Sequence, residues 1–489
     1  MFRAHDIRAK RECFEEPTAS VLALALARYW IDELKVDSVV VCRDTRLGGA
    51  ALMQRLVDVF VEEGLKVFLE PNPVGSCHFY HICMTQSQSA GVMITASHNP
   101  GSYLGMKLVG PNLQPISMGY GPKGGIEQIR TLFGESHLAS AKKDGGNVVL
   151  VDTLASFVEQ SMALAGVEKE MLRGTHVAYD FLHGIGFPAI GLASQKAGVT
   201  YDLLHGVPDG NFPVGDPNPG IEKSMQGSME YLKNTGTKLL LAYDGDGDRM
   251  DLIYKGKQLS PSMVMYCIVD QLVALNPEIK NPVILFDVKS SPPLISGMIR
   301  RGYTLQVVRN GHSAIKQIMN NGALCAVEES AHYYYQLPLL DQHGVRVPSE
   351  NTLFYTLLIL KAYSQNPSLF EEAQKLQDSF FREREWAVVI KDEQKRDMFL
   401  AELNQAMTDL GATRYEEGPD GSSLGAVLYR LNLPKNWETE ELSSDSWFQV
   451  FQRLSESEDN VLRFEVLAAK KEEGVKIVEL LHSLQSSYL

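Results

Sequence analysis

Four short apolar runs in this chain each end in an aspartate, and that pattern constrains the fold more than any other feature. They are Ser38-Val-Val-Val-Cys-Arg-Asp44, His176-Val-Ala-Tyr-Asp180, Leu239-Leu-Leu-Ala-Tyr-Asp244 and Val283-Ile-Leu-Phe-Asp287. Each has the length and β-branched or aromatic content of a buried strand that stops at a polar turn. Between them the apolar spacing becomes helical over Ala51 to Glu63, Ile221 to Asn234 and Pro261 to Leu275. Such alternation predicts an α/β fold, with parallel or mixed sheets covered by helices.

At 489 residues the chain exceeds what one core ordinarily organises, so several domains are expected. Polar and turn-forming residues collect near 142–147, 255–257 and 364–368. They divide the chain into 1–146, 147–256, 257–367 and 368–489. The last segment differs from the others. It combines a strand at Trp386 to Ile390, a helix from Gln394 to Leu410, a strand near Ala426 to Leu433 and a terminal helix from Glu472 to Leu484, a smaller α+β unit. The recurrence of Asp-terminated strands is too short a match to establish internal duplication.

Composition narrows the function classes. A net charge of −14 argues against broad nucleic-acid binding while leaving room for local basic pockets that hold a small anion. No apolar run is long enough to suggest a membrane span. The segment Val21 to Ala27 follows Arg8, Lys10 and Arg11 as a secretory leader would. It is short, however, and fits better as part of a helix from Thr18 through Leu34. Six cysteines without a C-x-x-C pair fit free thiols in a reducing, cytoplasmic setting.

The densest chemical motif is Asp244-Gly245-Asp246-Gly247-Asp248-Arg249, directly after an apolar run. Alternate carboxylates in a Gly-interleaved loop can converge on one hard divalent cation and leave positions for phosphate oxygens. A solvated acidic turn is the plainer alternative. An EF-hand is excluded, because Arg249 and Lys255 stand where that loop needs Gly and a carboxylate. A second motif, Ile94-Thr-Ala-Ser97-His98-Asn99-Pro-Gly101, lacks the elbow of a serine hydrolase. On composition alone, Ser97 reads as an ordinary turn serine.

Taken together, these motifs resemble the α-D-phosphohexomutase superfamily, with its phosphomannomutase/phosphoglucomutase enzymes. The octet around Ser97 resembles the family's phosphoserine loop and Asp244 to Arg249 its metal loop. Phe2 to Arg8, Gly105-Met106-Lys107 and Asp209 to Pro213 follow in family order, as do Asp287-Val288-Lys289, Gly311 to Lys316 and Glu328-Glu329-Ser330-Ala331-His332. The resemblance implies three similar mixed α/β domains followed by a smaller α+β domain, around a central cleft. It implies that Ser97, Asp244, Asp246 and Asp248 hold Mg2+, and that a hexose 1,6-bisphosphate acts as intermediate and activator. Ser97 would carry the phosphoryl group. His98 and Asn99 would shape its loop, and Arg8, Lys107, Arg249 and His332 would lie near the chemistry. Lys107 or His332 is the better proton carrier, since Arg rarely deprotonates.

Substrate contacts implied by the resemblance are Lys289, His312, Glu328 and Ser330, with Arg453, Ser455 and Ser457 gripping the non-reacting phosphate. The last loop departs from the family pattern, because Glu456, Glu458 and Asp459 crowd its donors. Val327 and Ala331 stand where the family usually carries Gly, and His5 replaces a usual Tyr. The implied function is reversible phosphate transfer between the 1- and 6-hydroxyls of glucose or mannose phosphate. Two alternatives are a catalytically impaired phosphosugar-binding homologue and a phosphoglucosamine mutase. The implied partner is a phosphosugar, with no nucleic acid and no membrane, on a monomer or homodimer.

Overall fold

The structure is a computed structural model and describes residues 1–135, 144–455 and 460–488. The chain forms two compact units. One comprises Met1–Gln258 with Ala331–Gln365, the other Leu259–Ser330 with Asn366–Leu489.

The first unit holds a six-stranded mixed sheet in the order Ile7–Lys10, Tyr103–Val109, Ala90–Ile94, Ser38–Arg43, Lys66–Leu69, Asn147–Leu150. Its last four strands are parallel, and Tyr103–Val109 runs antiparallel to both of its neighbours. The strand Asn147–Leu150, which follows the expected boundary at 146, pairs with Lys66–Leu69. Val39, Val41, Val92 and Ile94 join Leu22, Leu26, Leu56 and Phe60 in one core. These last four lie on the helices Thr18–Arg28 and Gly49–Glu62. The leader-like stretch is therefore a helix, continued by a π-helical segment over Tyr29–Leu34.

A second sheet in this unit places His176–Asp180 parallel to Thr200–Leu204 and to Leu239–Tyr243, with Met250–Tyr254 antiparallel. Because Tyr243 pairs with Met250, the acidic motif is the turn of a hairpin whose two strands are wholly buried. The helix Thr352–Gln365 is buried on nearly all sides, as its continuous apolar sequence requires.

In the second unit, Val283–Asp287 runs parallel to Thr304–Val308 and Cys325–Val327. The chain then builds an antiparallel sheet in the order Phe381–Val389, Val461–Ala468, Phe448–Leu454, Ser423–Leu431, Thr413–Glu417. The helices Glu393–Asp409 and Lys471–Ser486 contribute Phe399, Leu403, Ile477 and Leu481 to its core. The expected α+β character of the last segment is present, but its first strand begins at Phe381, ahead of the apolar run at Trp386.

The terminal aspartates do the same work in three sheets. Asp44 accepts from the backbone N–H of Arg46 at 2.8 Å, Asp180 from Leu182 at 2.9 Å, and Asp287 from Lys289 at 2.8 Å. Each carboxylate ties down the turn that leaves its strand. Several mixed α/β sheets carrying one such device make this a multidomain α/β protein. Among the described residues, no helix is long and apolar enough to cross a membrane.

Candidate functional site

In the first unit, Ser97 sits in the turn after Ala90–Ile94 with φ at 51°, a conformation that costs a residue bearing a Cβ. It is held there from several sides. Its N–H donates to Thr95 Oγ1 at 2.9 Å, and its carbonyl accepts from Arg46 Nη2 at 2.6 Å. The same guanidinium donates to the carbonyls of Asn99 at 2.6 Å, Pro100 at 2.9 Å and Tyr103 at 3.1 Å. Arg46 is only 2% exposed, and its charge is met by Asp44, with Nε 3.3 Å from Oδ2. Arg8 adds a donor to Asn99 Oδ1 at 2.7 Å.

This bracing presents Ser97 Oγ to Asp244, with Oγ donating to Oδ2 at 3.1 Å. Gly245 permits the approach, since a Cβ there would lie 2.7 Å from the Ser97 carbonyl oxygen. His98 Nδ1 lies 3.4 Å from Ser97 Oγ. Burial first, then the charges of Arg249 and Arg8, hold the His98 imidazole well below its ordinary value, so it is neutral.

The carboxylates of Asp244, Asp246 and Asp248 are buried, and one oxygen of each lies within 4.8 Å of the others. Burial, reinforced by Asp246 and Asp248, pushes the Asp244 carboxyl well above the usual range. Three such groups need positive charge. Part of it comes from Lys107, whose Nζ donates to Asp246 Oδ2 at 2.6 Å and pairs with Asp248. Burial works against the ammonium, but Asp246 and Asp248 outweigh it and push its pKa well up. Ser76, at the start of the helix Ser76–Thr85, fixes Asp246 through an Oγ–Oδ2 bond of 2.6 Å. Asp246 Oδ1 and Asp248 Oδ1 remain buried with no hydrogen-bond partner among the described residues. The donor set of three hard oxygens with buried, unused lone pairs fits a divalent cation.

Arg249 joins the loop to His332. Its N–H donates to Asp244 Oδ1 at 3.1 Å and its Nε donates to His332 Nε2 at 2.9 Å. Since an arginine only donates, Nε2 is the unprotonated nitrogen of that ring. His332 is brought there by a backbone bond from Met250 N to the Ala331 carbonyl, 3.1 Å, with Ala331 at φ 70°. Asp248, His332 and Glu350 form a second close group whose ligand atoms also lie within 4.8 Å of one another.

The second unit carries the other expected contacts. Glu328 accepts from Gly311 N at 2.8 Å, bracing the turn into the helix His312–Met319, and Ser330 is exposed. Asp287, pushed up to about 7 by burial although Lys289 opposes the shift, also accepts from Glu329 N at 3.0 Å. Lys289 Nζ lies 3.4 Å from Glu385, and Arg453 Nη1 donates to Asn310 at 3.3 Å. Ser455 is partly buried, with its N–H bonded to the Val461 carbonyl at 2.7 Å. Ser457 lies outside the described residues, as do Glu456, Glu458 and Asp459.

The motifs did not reveal Arg46, Ser76, Glu350 or Glu385. Arg46 follows a strand-terminal Asp and looks like a surface turn residue. The only signal available was that Asp44 ends a buried strand and needs a cation.

Fold and site together define a class: a multidomain mixed α/β protein in which a strained serine faces a buried triad of aspartates. Residues 1–119 match the model of the phosphoglucomutase/phosphomannomutase α/β/α domain I, and residues 155–257 match that of domain II. A phosphoglucomutase of Neisseria meningitidis serogroup A is 28% identical over 341 residues, 69% of this chain and 70% of its own. A phosphomannomutase/phosphoglucomutase of Pseudomonas aeruginosa is 29% identical over 351 residues, 69% of each chain. The crystal structure of a phosphoglucomutase/phosphomannomutase family protein from Burkholderia thailandensis shares the fold with a TM-score of 0.76 at 20% identity. That match covers 100% of this chain and 97% of that one. These matches support the α-D-phosphohexomutase superfamily as the family this chain resembles.

Proposed function

We infer that this protein is a hexose phosphate mutase, an intramolecular phosphotransferase that moves phosphate between the 1- and 6-hydroxyls of glucose or mannose phosphate. The observation that carries the reading is Ser97 Oγ held 3.1 Å from Asp244, at the edge of a carboxylate triad, by a loop whose carbonyls a buried arginine clamps.

The reaction is written with Ser97 as the phosphoryl carrier. The bond from its Oγ to phosphorus breaks as a sugar hydroxyl oxygen bonds to phosphorus, and the hydroxyl proton passes to a base. The freed Ser97 oxygen takes up a proton, and the sugar is then a hexose 1,6-bisphosphate. In the return step the bond from the other sugar oxygen to phosphorus breaks as Ser97 Oγ bonds to that phosphorus, and the serine proton passes through the same carrier to the released sugar oxygen. Lys107 serves this as a fixed positive charge, since its ion pairs with Asp246 and Asp248 keep the ammonium protonated. His332 is the better proton carrier, because its unprotonated Nε2 can take a proton once the Arg249 Nε that now donates to it turns away. Asp244, Asp246 and Asp248 would hold Mg2+, which when bound supplies positive charge beside the transferring group.

Lys289, His312, Glu328 and Ser330 are read as sugar and phosphate contacts, and Arg453, Ser455 and Ser457 as the grip on the non-reacting phosphate. The same reading assigns the serine to a domain over 1–146, the metal loop to 147–256, sugar recognition to 257–367 and the phosphate grip to 368–489. It carries hexose 1,6-bisphosphate as activator, a cytoplasmic setting and a monomer or homodimer. The impaired homologue and the phosphoglucosamine mutase are not favoured. The curated relatives are named for glucose and mannose phosphates, and Ser97 and its acidic triad are both in place.

The test is intact-mass detection of phosphoserine, followed by a Mg2+-dependent assay on glucose 1-phosphate and mannose 1-phosphate with bisphosphate activator. Turnover lost in Ser97→Ala supports the reading. No phosphoserine and no turnover in the unaltered protein would overturn it.

A further inference from the structure

Glu385 lies on the strand Phe381–Val389, within a run of alternating charges, Arg382-Glu383-Arg384-Glu385, that has the sequence of a solvated edge. Its surroundings are different. Oε2 lies 3.4 Å from Lys289 Nζ and Oε1 lies 3.5 Å from Arg463 Nη1. Burial alone would raise the Glu385 carboxyl, but Lys289, Arg453 and Arg463 outweigh it and hold it below the usual carboxylate range. Two of these cations, Lys289 and Arg453, are residues that the mutase reading assigns to phosphate. The nearby Arg382 is already engaged by Glu329 at 2.8 Å and Glu465 at 2.7 Å.

We propose that Glu385 is an affinity-setting residue, an internal carboxylate that occupies the cations meant for the substrate's non-reacting phosphate and must yield them when phosphate binds. The contact lengths suit such exchange. At 3.4–3.5 Å they are longer than the roughly 2.7–2.9 Å of a strong charge-assisted bond, so the carboxylate holds its partners loosely. A phosphate dianion offers more charge and more acceptor oxygens to the same donors. The residual Glu385 charge then opposes it in a place where screening is poor, since the Lys289 side chain is only 9% exposed. The inference rests on the mutase reading for the identity of the phosphate, but its test does not need turnover.

Calorimetric titration with inorganic phosphate, without divalent cation, compares the unaltered protein with Glu385→Gln and Glu385→Asp. Removing the charge should tighten phosphate binding about three- to tenfold, while the Asp variant, which keeps the charge, stays near the unaltered protein. The gain should vanish in a Lys289→Met background, as coupling between interacting groups requires. Glu385→Ala supplies the same charge removal should the Gln variant not fold. Unchanged or weaker phosphate binding in Glu385→Gln overturns the proposal, because a carboxylate that merely arranged the cations would cost affinity when lost. A gain that survives Lys289→Met, or one shared equally by the Asp variant, overturns it too. In the turnover assay, KM for the phosphosugar should fall without a rise in kcat. Absence of turnover in the unaltered protein would count against the mutase reading alone.

Discussion

Arg46 donates from Nη2 to the carbonyl oxygen of Ser97 at 2.6 Å, so a guanidinium buried beneath the loop fixes the residue proposed as nucleophile through its backbone. Three further carbonyls of that loop and its flank end on the same group. Arg46→Ala removes all four bonds and leaves Asp44 buried without its partner. The expected result is a loss of about 3–5 kcal/mol of stability and a fall in kcat of about a hundredfold, with KM changing far less. Arg46→Lys, which restores charge but not the planar fork, should recover stability more than kcat. Denaturant melts and steady-state kinetics together check this.

The left-handed backbone at Ser97 and Ala331 stores strain that glycine would release. Ser97→Gly should be at least as stable as the unaltered protein, by up to about 1 kcal/mol, while losing phosphoserine and turnover altogether. Ala331→Gly should gain a similar amount of stability and keep activity. Thermal melts paired with intact mass read both outcomes, and a destabilised Ser97→Gly would contradict the strain argument.

Lys107 neutralises Asp246 and Asp248 directly. Lys107→Met leaves three buried carboxylates facing one another, so the protein should lose several kcal/mol of stability in chelator. Mg2+ should restore much of it by binding the folded form. Melting temperature followed against Mg2+ concentration should therefore rise more steeply in the variant than in the unaltered protein. Parallel curves would remove the triad as a cation site.

His78 and His81, on the helix Ser76–Thr85, are neutral within the folded chain. Burial above all lowers them from 6.5 to about 3 and about 4. Hydrogen bonds to Thr153 at 2.8 Å, Gln160 at 2.6 Å and Ser156 at 3.0 Å hold the rings. Below pH 6.5 the unfolded chain binds protons that the folded chain refuses. Stability is thus complete above pH 6.5 and falls as pH drops towards 4, by about 1.4 kcal/mol per pH unit for each histidine. Replacing His78 by Phe and His81 by Leu should flatten that acid limb in melts from pH 7 to 4.5.

Much of the fold was legible because buried strands announce themselves by apolar runs. His176–Asp180 and Val283–Asp287 match the expected bounds, and the helices at Gly49–Glu62, Glu222–Thr235 and Pro261–Ala274 differ by a residue or two. Where periodicity weakened, so did the reading. The strand Phe381–Val389 is legible only from Trp386, because its first half alternates charges, of which the fold draws Arg382 and Glu385 into partly buried ion pairs and leaves Glu383 and Arg384 exposed. The acidic triad was legible from spacing and chemistry. Ser97 needed the order of motifs along the chain, since its φ and its contact with Asp244 arise from residues 147 positions apart. Arg46 and Glu385 were opaque for a common reason. A charged residue's partner is chosen by the tertiary fold, and neither side chain carries a pattern that names it.

The pairing of Arg382 with both Glu329 and Glu465 bears on how this chain can be dissected. Glu329 belongs to the segment that precedes the last linker and Glu465 to the final sheet. A fragment ending before Phe381 would strip Glu329 of its guanidinium partner close to Asp287, whose carboxyl Glu329 and Glu328 already push up, and a fragment beginning there would leave the guanidinium half-satisfied. The last quarter of the sequence therefore cannot be shed or exchanged as a freestanding module. In a chimera that imports it from a relative, the charges at positions 329, 382 and 465 have to match one another.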